Sequence, residues 1–463
     1  MAVFYLVIFL LVILPDFYIW FVCLRGAACG WWVMLHWVPL AFFVALLILY
    51  FSGGSQPFVF KGMIASILCI TVPKLLFCIV SLLGLGAGLV QCAGGCSDTV
   101  RGSLTAGFDI AGMALAGCFL VAAVYGLTAG PRHLVLREEN LVFDDLPASF
   151  DGYRIVHLSD LHASSYSAPG MVERLVSEVN ALEADLVVFT GDLVNSSPEE
   201  LDAGMMKALS GIRARDGVFS VVGNHDYCEY HDYADAGGAA RAFSEVVRRE
   251  RAMGWTVLLD SSAVITRTAV TPLRDTRELD LPESPASVER VDSIYIVGVE
   301  HCGKPPFGSR GNLQKALSGV PSVISPKEQS SVSPFKILLS HDPSHWRMDV
   351  LPHSDIQLTL SGHTHAMQFR IGRFSPSRWM YPEWYGLYET DARPADASGI
   401  AIRRVSSGPH DRATLAGGQQ QRTGRGNAPR FLNVSAGLGG SFPFRLGAWP
   451  EIVVLTLHRP VSR

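Results

Sequence analysis

Five short blocks in the later two thirds of the chain concentrate side chains that bind cations. They are Ser159-Asp160-Leu161-His162, Thr190-Gly191-Asp192-Leu193, Gly223-Asn224-His225-Asp226, Ser340-His341-Asp342 and Gly362-His363-Thr364-His365. Carboxylate oxygen and imidazole nitrogen together suit borderline divalent ions such as Mn, Fe and Zn. Side chains alternate along an extended chain, so Asp160 and His162 face the same way on leaving a strand. His363 and His365 share that spacing. Gly191, Gly223 and Gly362 allow tight turns beside an ion. One such block alone is a turn or a helix cap. Five in order, each behind a strand-like run, form a converging set.

The elements that must position them are short apolar runs. Strands are expected at residues 153–159, 186–190, 218–222, 294–299, 335–340, 356–360, 431–435 and 452–457, with a helical period over 171–182. Continuous apolar strands alternating with helices predict an α/β fold with covered sheets. In such sheets ligands gather beyond the carboxyl ends of the strands, which is where the five blocks fall. Residues 131–152 read as a connector with one alternating strand at 133–137, and 266–291 as a charged, proline-containing insertion. Residues 391–429, rich in Gly, Arg, Ala and Gln, bury little apolar surface and are expected to form a mobile loop.

The remaining third has another character. Of 463 residues 49% are hydrophobic, and the mean hydropathy of +0.26 is high for a soluble enzyme. Four apolar blocks, 2–24, 31–51, 63–90 and 108–127, approach or exceed the length that crosses a bilayer. Residues 1–130 are therefore expected to be a transmembrane region of about four helices in an integral membrane protein, with the lipid bilayer as its partner. Pro73 and Lys74 interrupt the third block, where a break or a snorkelling lysine near a re-entrant bend is expected ahead of a Lys74 that faces a polar interior or a ligand head group. With the amino terminus inside, Lys61, Arg132 and Arg137 fall on the cytoplasmic side and Arg25 and Arg101 outside, a slight bias toward a cytoplasmic carboxyl-terminal domain. Seven of nine cysteines lie in the first 118 residues; Cys92 and Cys96 are read as packing residues ahead of a bridge or metal site. The net charge of −4 gives no basic excess, so no nucleic-acid partner is expected.

The order D-x-H, GD, GNHD, H, GH-x-H resembles the calcineurin-like metallophosphoesterase superfamily over residues 153–457. Gly298-Val299-Glu300, Leu339-Ser340-His341-Asp342-Pro343 and Pro450-Glu451-Ile452 are similar to the bacterial, membrane-associated branch with a metallophosphoesterase domain. The resemblance implies a multi-helix transmembrane anchor followed by a sandwich of two mixed β-sheets flanked by helices, filling 153–463. It implies two divalent metal ions. Asp160, His162, Asp192 and His365 would hold the first, and Asp192, Asn224, His341 and His363 the second. His225 would face the substrate phosphate. Ala366-Met367-Gln368 stands where many relatives carry glycines, which bears on local geometry.

Two ions about 3.5–4 Å apart can share a hydroxide and clamp phosphoryl oxygens for in-line attack. His225 would protonate or stabilise the leaving oxygen. Asp226 would either orient His225 or bind backbone, Cys228 would pack, and His301 would serve a turn or reach the substrate. The expected activity is hydrolysis of a phosphate mono- or diester, such as a phospholipid or lipid A precursor, at a bacterial inner membrane. A catalytically weak metal-binding sensor or scaffold is the competing class. Nothing in the sequence bears on oligomeric state.

Overall fold

The computed structural model describes residues 2–25, 30–52, 57–95, 97–166, 170–272, 287–321, 333–390, 402–406 and 429–460. Two units are distinguished: Met1–Arg132 with Phe442–Leu446, and His133–Ser441 with Gly447–Arg463.

The first unit is helical. It comprises α1 (Ala2–Ile19), α2 (Val38–Phe51), α3 (Pro57–Ser66), α4 (Val72–Ala93) and α5 (Asp98–Thr128). All four expected blocks are helical. Among the described residues three stretches are long and apolar enough to cross a membrane: Val33–Phe51, Phe58–Ala93 and Asp98–Arg132. Leu10–Leu24 is a shorter apolar helix. The second and third long stretches extend beyond the hydrophobic blocks that announced them. The bend expected at Pro73 is absent. A π-helical turn, Ile67–Thr71, joins α3 to α4 and leaves Pro73 in the first turn of α4, where its missing N–H costs no bond. Lys74 is paired as well: Nζ lies 2.5 Å from Asp16 Oδ1, and His36 Nε2 lies 3.2 Å from the same oxygen. Opposite charges in contact lower the cost of ionisable groups in such a setting. The described cysteines, Cys92 among them, are free thiols; Cys96 lies outside the described residues.

The second unit contains two mixed sheets. One runs in the order β1 (Val135–Val142), β13 (Glu451–His458), β2 (Tyr153–Leu158), β3 (Leu186–Thr190), β4 (Val218–Val221), β5 (Thr256–Val257). The other runs β11 (Arg403–Ser406), β10 (Gly386–Thr390), β12 (Arg430–Val434), β9 (Leu358–Ser361), β8 (Phe335–Leu339), β7 (Ser287–Gly298), β6 (Ser261–Pro272). Strands β2, β3 and β4 are mutually parallel, as are β7, β8, β9 and β12. Period two decides the layers. Ile155, Leu186, Val188 and Phe219 meet Ile296, Ile337, Leu339, Leu360 and Phe431 in the core between the sheets. The alternate positions Val156, Leu158, Val187 and Phe189 face outward, against α6 (Met171–Asn180). That helix buries Val172, Leu175, Val176 and Val179, one stripe at helical spacing. Val297, Leu338, Leu432 and Val434 form the outer core of the second sheet with Trp346 and Leu351.

Three features depart from the sequence reading. The connector strand is longer and belongs to the sheet, pairing along β13 from Val135 to Val142. The segment 266–291 supplies the arms of a β6–β7 hairpin; its middle, 273–286, lies outside the described residues. Within 391–429, residues 403–406 form β11 against β10. The rest of the expected mobile loop lies outside the described residues except Ile402 and Pro429.

Candidate metal centre

Each of the five blocks begins at or just past the carboxyl end of a parallel strand: β2, β3, β4, β8 and β9. The backbone there is unusual. Asp160 (φ 52°), His162 (44°), Asp192 (57°), His363 (69°) and His365 (48°) all take left-handed conformations without being glycine. Each costs about 1–2 kcal/mol relative to ordinary backbone. Strain of this kind persists only where surrounding structure over-determines it, and it concentrates at functional sites. Cross-loop hydrogen bonds do the holding. The Asp160 N–H donates to Gly191 O (2.9 Å), His162 N–H to Asp192 O (3.0 Å), and Gly362 N–H to His341 O (2.9 Å). The His363 N–H reaches across the sheets to Asp160 Oδ1 at 3.0 Å. A Cβ on Gly362 would overlap the Asp160 carboxylate, and one on Gly223 would overlap that of Asp192. Glycine at these two positions is therefore a matter of space.

The side chains converge in two groups that share one carboxylate. Asp160, His162, Asp192 and His365 place ligand atoms within 4.8 Å of one another, and so do Asp192, His341 and His363. His162 Nε2 lies 3.2 Å from His365 Nε2, and His365 Nε2 lies 3.2 Å from Asp160 Oδ1. On the other side His341 Nε2 is 3.2 Å from Asp192 Oδ2 and 3.2 Å from His363 Nδ1. Imidazole nitrogens packed on one another and on carboxylates are an arrangement of lone pairs that a cation would satisfy. Asn224 sits alongside: its Nδ2 donates to Tyr230 Oη (3.0 Å), and its buried Oδ1 has no hydrogen-bond partner.

Electrostatics carries the same signature. Burial raises the Asp160 carboxyl to about 6, with Asp192 adding to the rise and His341 opposing it. Burial also works against charge on Asp192, yet His341 and His225 beside it hold its carboxyl well below the usual range. Burial disfavours imidazolium at His341, but Asp192 and then Asp160 push it up to about 10. His363 is driven well below its ordinary value by burial and by His341. The two buried carboxylates thus favour positive charge at His341, a part that a divalent ion would take over.

Surrounding groups fix these side chains. His341 Nδ1–H donates to Thr190 O (2.7 Å), leaving Nε2 toward Asp192. His363 Nε2 is 2.8 Å from Tyr381 Oη. Hydrogen bonds of this kind set the tautomer of a ligating histidine. Asp226 binds backbone and does not orient His225: its carboxylate accepts from Asp192 N–H, Leu193 N–H and Gly223 N–H (2.8 Å each) and Val194 N–H (3.1 Å). A single side chain thereby clamps the loops after β3 and β4. His225 finds another anchor, with Nδ1–H donating to Asn195 O at 2.5 Å. Its main-chain N–H donates to Asp192 Oδ1 (2.9 Å).

Beneath Asp160 runs a buried chain of donors. Asn433 Nδ2 donates to His157 Nδ1 (2.8 Å), His157 Nε2–H to Thr190 Oγ1 (2.9 Å), Thr190 to Ser159 Oγ (2.8 Å), and Ser159 to Asp160 Oδ2. Burial and then Arg137 lower His157 to about 3, so it is neutral and has the single N–H this direction requires. His157 and Asn433 come from different sheets, and no local motif announces them. Tyr381 is equally invisible in sequence. His301, left between two roles by its sequence, lies buried with ring centroids 5.7 Å from His341 and 5.8 Å from His363; neither ring nitrogen has a hydrogen-bond partner. Cys228 is fully buried and packs. Ala366 (φ 49°), Met367 (47°) and Gln368 (55°) adopt the left-handed backbone that glycine would take without cost.

Comparison with known proteins gives three kinds of relative. Residues 153–367 match the calcineurin-like phosphoesterase family model. A transmembrane protein with metallophosphoesterase domain from Danio rerio is 30% identical, over 54% of this chain and 48% of its own length. The uncharacterised metallophosphoesterase YkuE of Bacillus subtilis is 25% identical, over 57% of this chain and 79% of its own. The UDP-2,3-diacylglucosamine pyrophosphatase LpxG of Chlamydia muridarum is 24% identical, over 68% of this chain and 86% of its own. The chain spans about half the length of the animal relatives it matches.

Proposed function

From the premise that this chain carries a calcineurin-like phosphoesterase domain, we propose that it is a membrane-anchored phosphohydrolase using two divalent ions, Mn, Fe or Zn. The observation that carries the reading is the pair of ligand groups meeting at Asp192. Asp160, His162, Asp192 and His365 hold one ion, and Asp192, Asn224, His341 and His363 the other. When bound, such ions polarise phosphoryl oxygens and supply a water-derived nucleophile at neutral pH. The chain's own residues do the rest. Asn224, tied through its amide to Tyr230, offers Oδ1. His225, with Nδ1–H fixed on Asn195 O, gains and loses its proton at Nε2, where it serves the leaving oxygen. Asp226 keeps the loops bearing Asp192 and Asn224 in register.

The substrate is a lipid-borne phosphate ester. Two observations support this: the membrane-spanning unit in the same chain, and the similarity to an enzyme whose name specifies a diacylated sugar nucleotide. The domain works at a bacterial inner membrane, on its cytoplasmic face. The test uses the full chain in detergent. Metal analysis should find about two ions per chain, and hydrolysis should be scored on p-nitrophenyl phosphate, bis(p-nitrophenyl) phosphate and phospholipids. His225→Ala should keep its metals and lose about 10²–10⁴-fold in kcat. A metal-free chain, or an unchanged His225→Ala, would sink the reading.

A further inference from the structure

Directly after His365 the chain builds a lobe, residues 367–380, whose outward side chains are apolar and cationic. Ile371 is 65% exposed, Trp379 76% and Met367 40%, and Phe374 and Met380 are exposed as well. The same stretch contains Arg370, Arg373 and Arg378 and no Asp or Glu; Arg373 and Arg378 are exposed. Single exposed apolar residues need no explanation, but five in one short stretch mark an interaction surface.

The lobe is built to present them. Ile371 and Phe374 bond to each other through both N–H groups at 3.0 Å, closing a turn at Gly372. The polar residues point inward: Ser375 and Ser377 are fully buried, and Ser375 Oγ donates to Ala366 O (2.6 Å). Ser375 Oγ also accepts from Ser377 N–H (3.2 Å), capping the short helical turn Pro376–Trp379. The Trp379 ring packs edge-on against Phe374 at 5.7 Å. The hydroxyls thus face inward, while apolar and cationic side chains face out. The lobe also adjoins the metal centre. It runs into Tyr381, whose hydroxyl meets His363, and Lys304 Nζ bonds Met380 O.

We infer that this lobe docks on the surface of an anionic lipid bilayer, an inference that rests on the proposed membrane phosphohydrolase reading and adds how that site meets its substrate. Trp379, Ile371, Phe374 and Met380 enter the interfacial layer, and Arg373 and Arg378 pair with lipid phosphates. Tryptophan and arginine are the side chains suited to that layer, one amphipathic and the other matched to phosphate. The absence of any acid in the stretch complements a negative surface. A bilayer is within reach, because the same chain carries membrane-spanning helices. Docking brings Tyr381, and the His363 it bonds, toward the headgroup level.

The experiment reconstitutes the full chain, one copy per nanodisc, in phosphatidylcholine alone or mixed with phosphatidylglycerol. The Trp379 signal is isolated as the difference between the wild type and Trp379→Phe. With phosphatidylglycerol present, brominated acyl chains should quench that signal severalfold more than aqueous acrylamide does. Arg373→Glu/Arg378→Glu should return it to acrylamide while metal content and hydrolysis of p-nitrophenyl phosphate stay unchanged. A Trp379 signal quenched by acrylamide and untouched by brominated lipid overturns the inference. Shielding from both quenchers overturns it in favour of a protein contact. The quenching needs no turnover, so failure of docking with intact hydrolysis leaves the phosphohydrolase reading standing, and loss of hydrolysis with intact quenching does the reverse.

Discussion

Asp192 stands in both ligand groups and, through Oδ1, accepts the His225 main-chain N–H. No other side chain in the centre is asked for so much. Asp192→Asn should cut bound metal, read by elemental analysis, from about two ions to fewer than one, and slow turnover by about 10³-fold or more, the equivalent of several kcal/mol of charge stabilisation. Full metal content in that variant would remove Asp192 from its shared position. Asp226 makes a different prediction, because its carboxylate accepts four backbone N–H groups and is oriented toward no catalytic side chain. Asparagine there turns an amide toward N–H donors and strands them. The cost should be about 3 kcal/mol or more, seen as a fall in the denaturation midpoint even in saturating metal. An unchanged midpoint would mean that the clamp contributes nothing.

At the scale of elements, the packing of a helix on a strand supplies a pH dependence. Glu250 of α7 (Gly238–Ala252) is buried against β4, where Ser220 Oγ donates to its carboxyl at 2.5 Å. Burial, and then the nearby Asp226, push that carboxyl up to about 8, against about 4.3 for an ordinary Glu. The sign follows from which form the fold prefers. A raised folded-state pKa means the neutral acid is favoured, so its stability is present below the ordinary value and is lost as pH rises through about 8. The thermal midpoint should therefore decline from about pH 5 to pH 8, and Glu250→Gln, a neutral isostere, should make that decline shallower. An unaltered slope would show that Glu250 titrates normally. Short β10 and β11 are not announced in the sequence: both pair antiparallel, β11 at the sheet edge and β10 between it and β12, and neither has the continuous apolar run of the buried parallel strands.

At the scale of the whole molecule, two units of different physics share one chain. The helical unit has stretches long and apolar enough to cross a membrane, whereas the sandwich gathers buried carboxylates and imidazoles into two groups that could hold metal. Chelation with EDTA should lower the melting transition of the sandwich by several degrees, because ions that bind only the folded state stabilise it by mass action, and should leave the helical signal of the membrane unit in place. Calorimetry and circular dichroism of the full chain test this; coincident shifts in both signals would contradict it. The amino-acid sequence by itself determined the membrane helices, the buried strands and the five polar blocks, because these are written in local periodicity and in residue type at fixed spacing. Tertiary structure decided what local pattern cannot encode. It brought His157 of one sheet against Asn433 of the other, turned Asp226 toward four N–H groups and away from His225, set Tyr381 on His363, and forced left-handed backbone on five candidate ligand residues that are not glycine. Each of these depends on contacts that local pattern does not encode, made between loops of neighbouring strands in one sheet or between the two sheets when they pack.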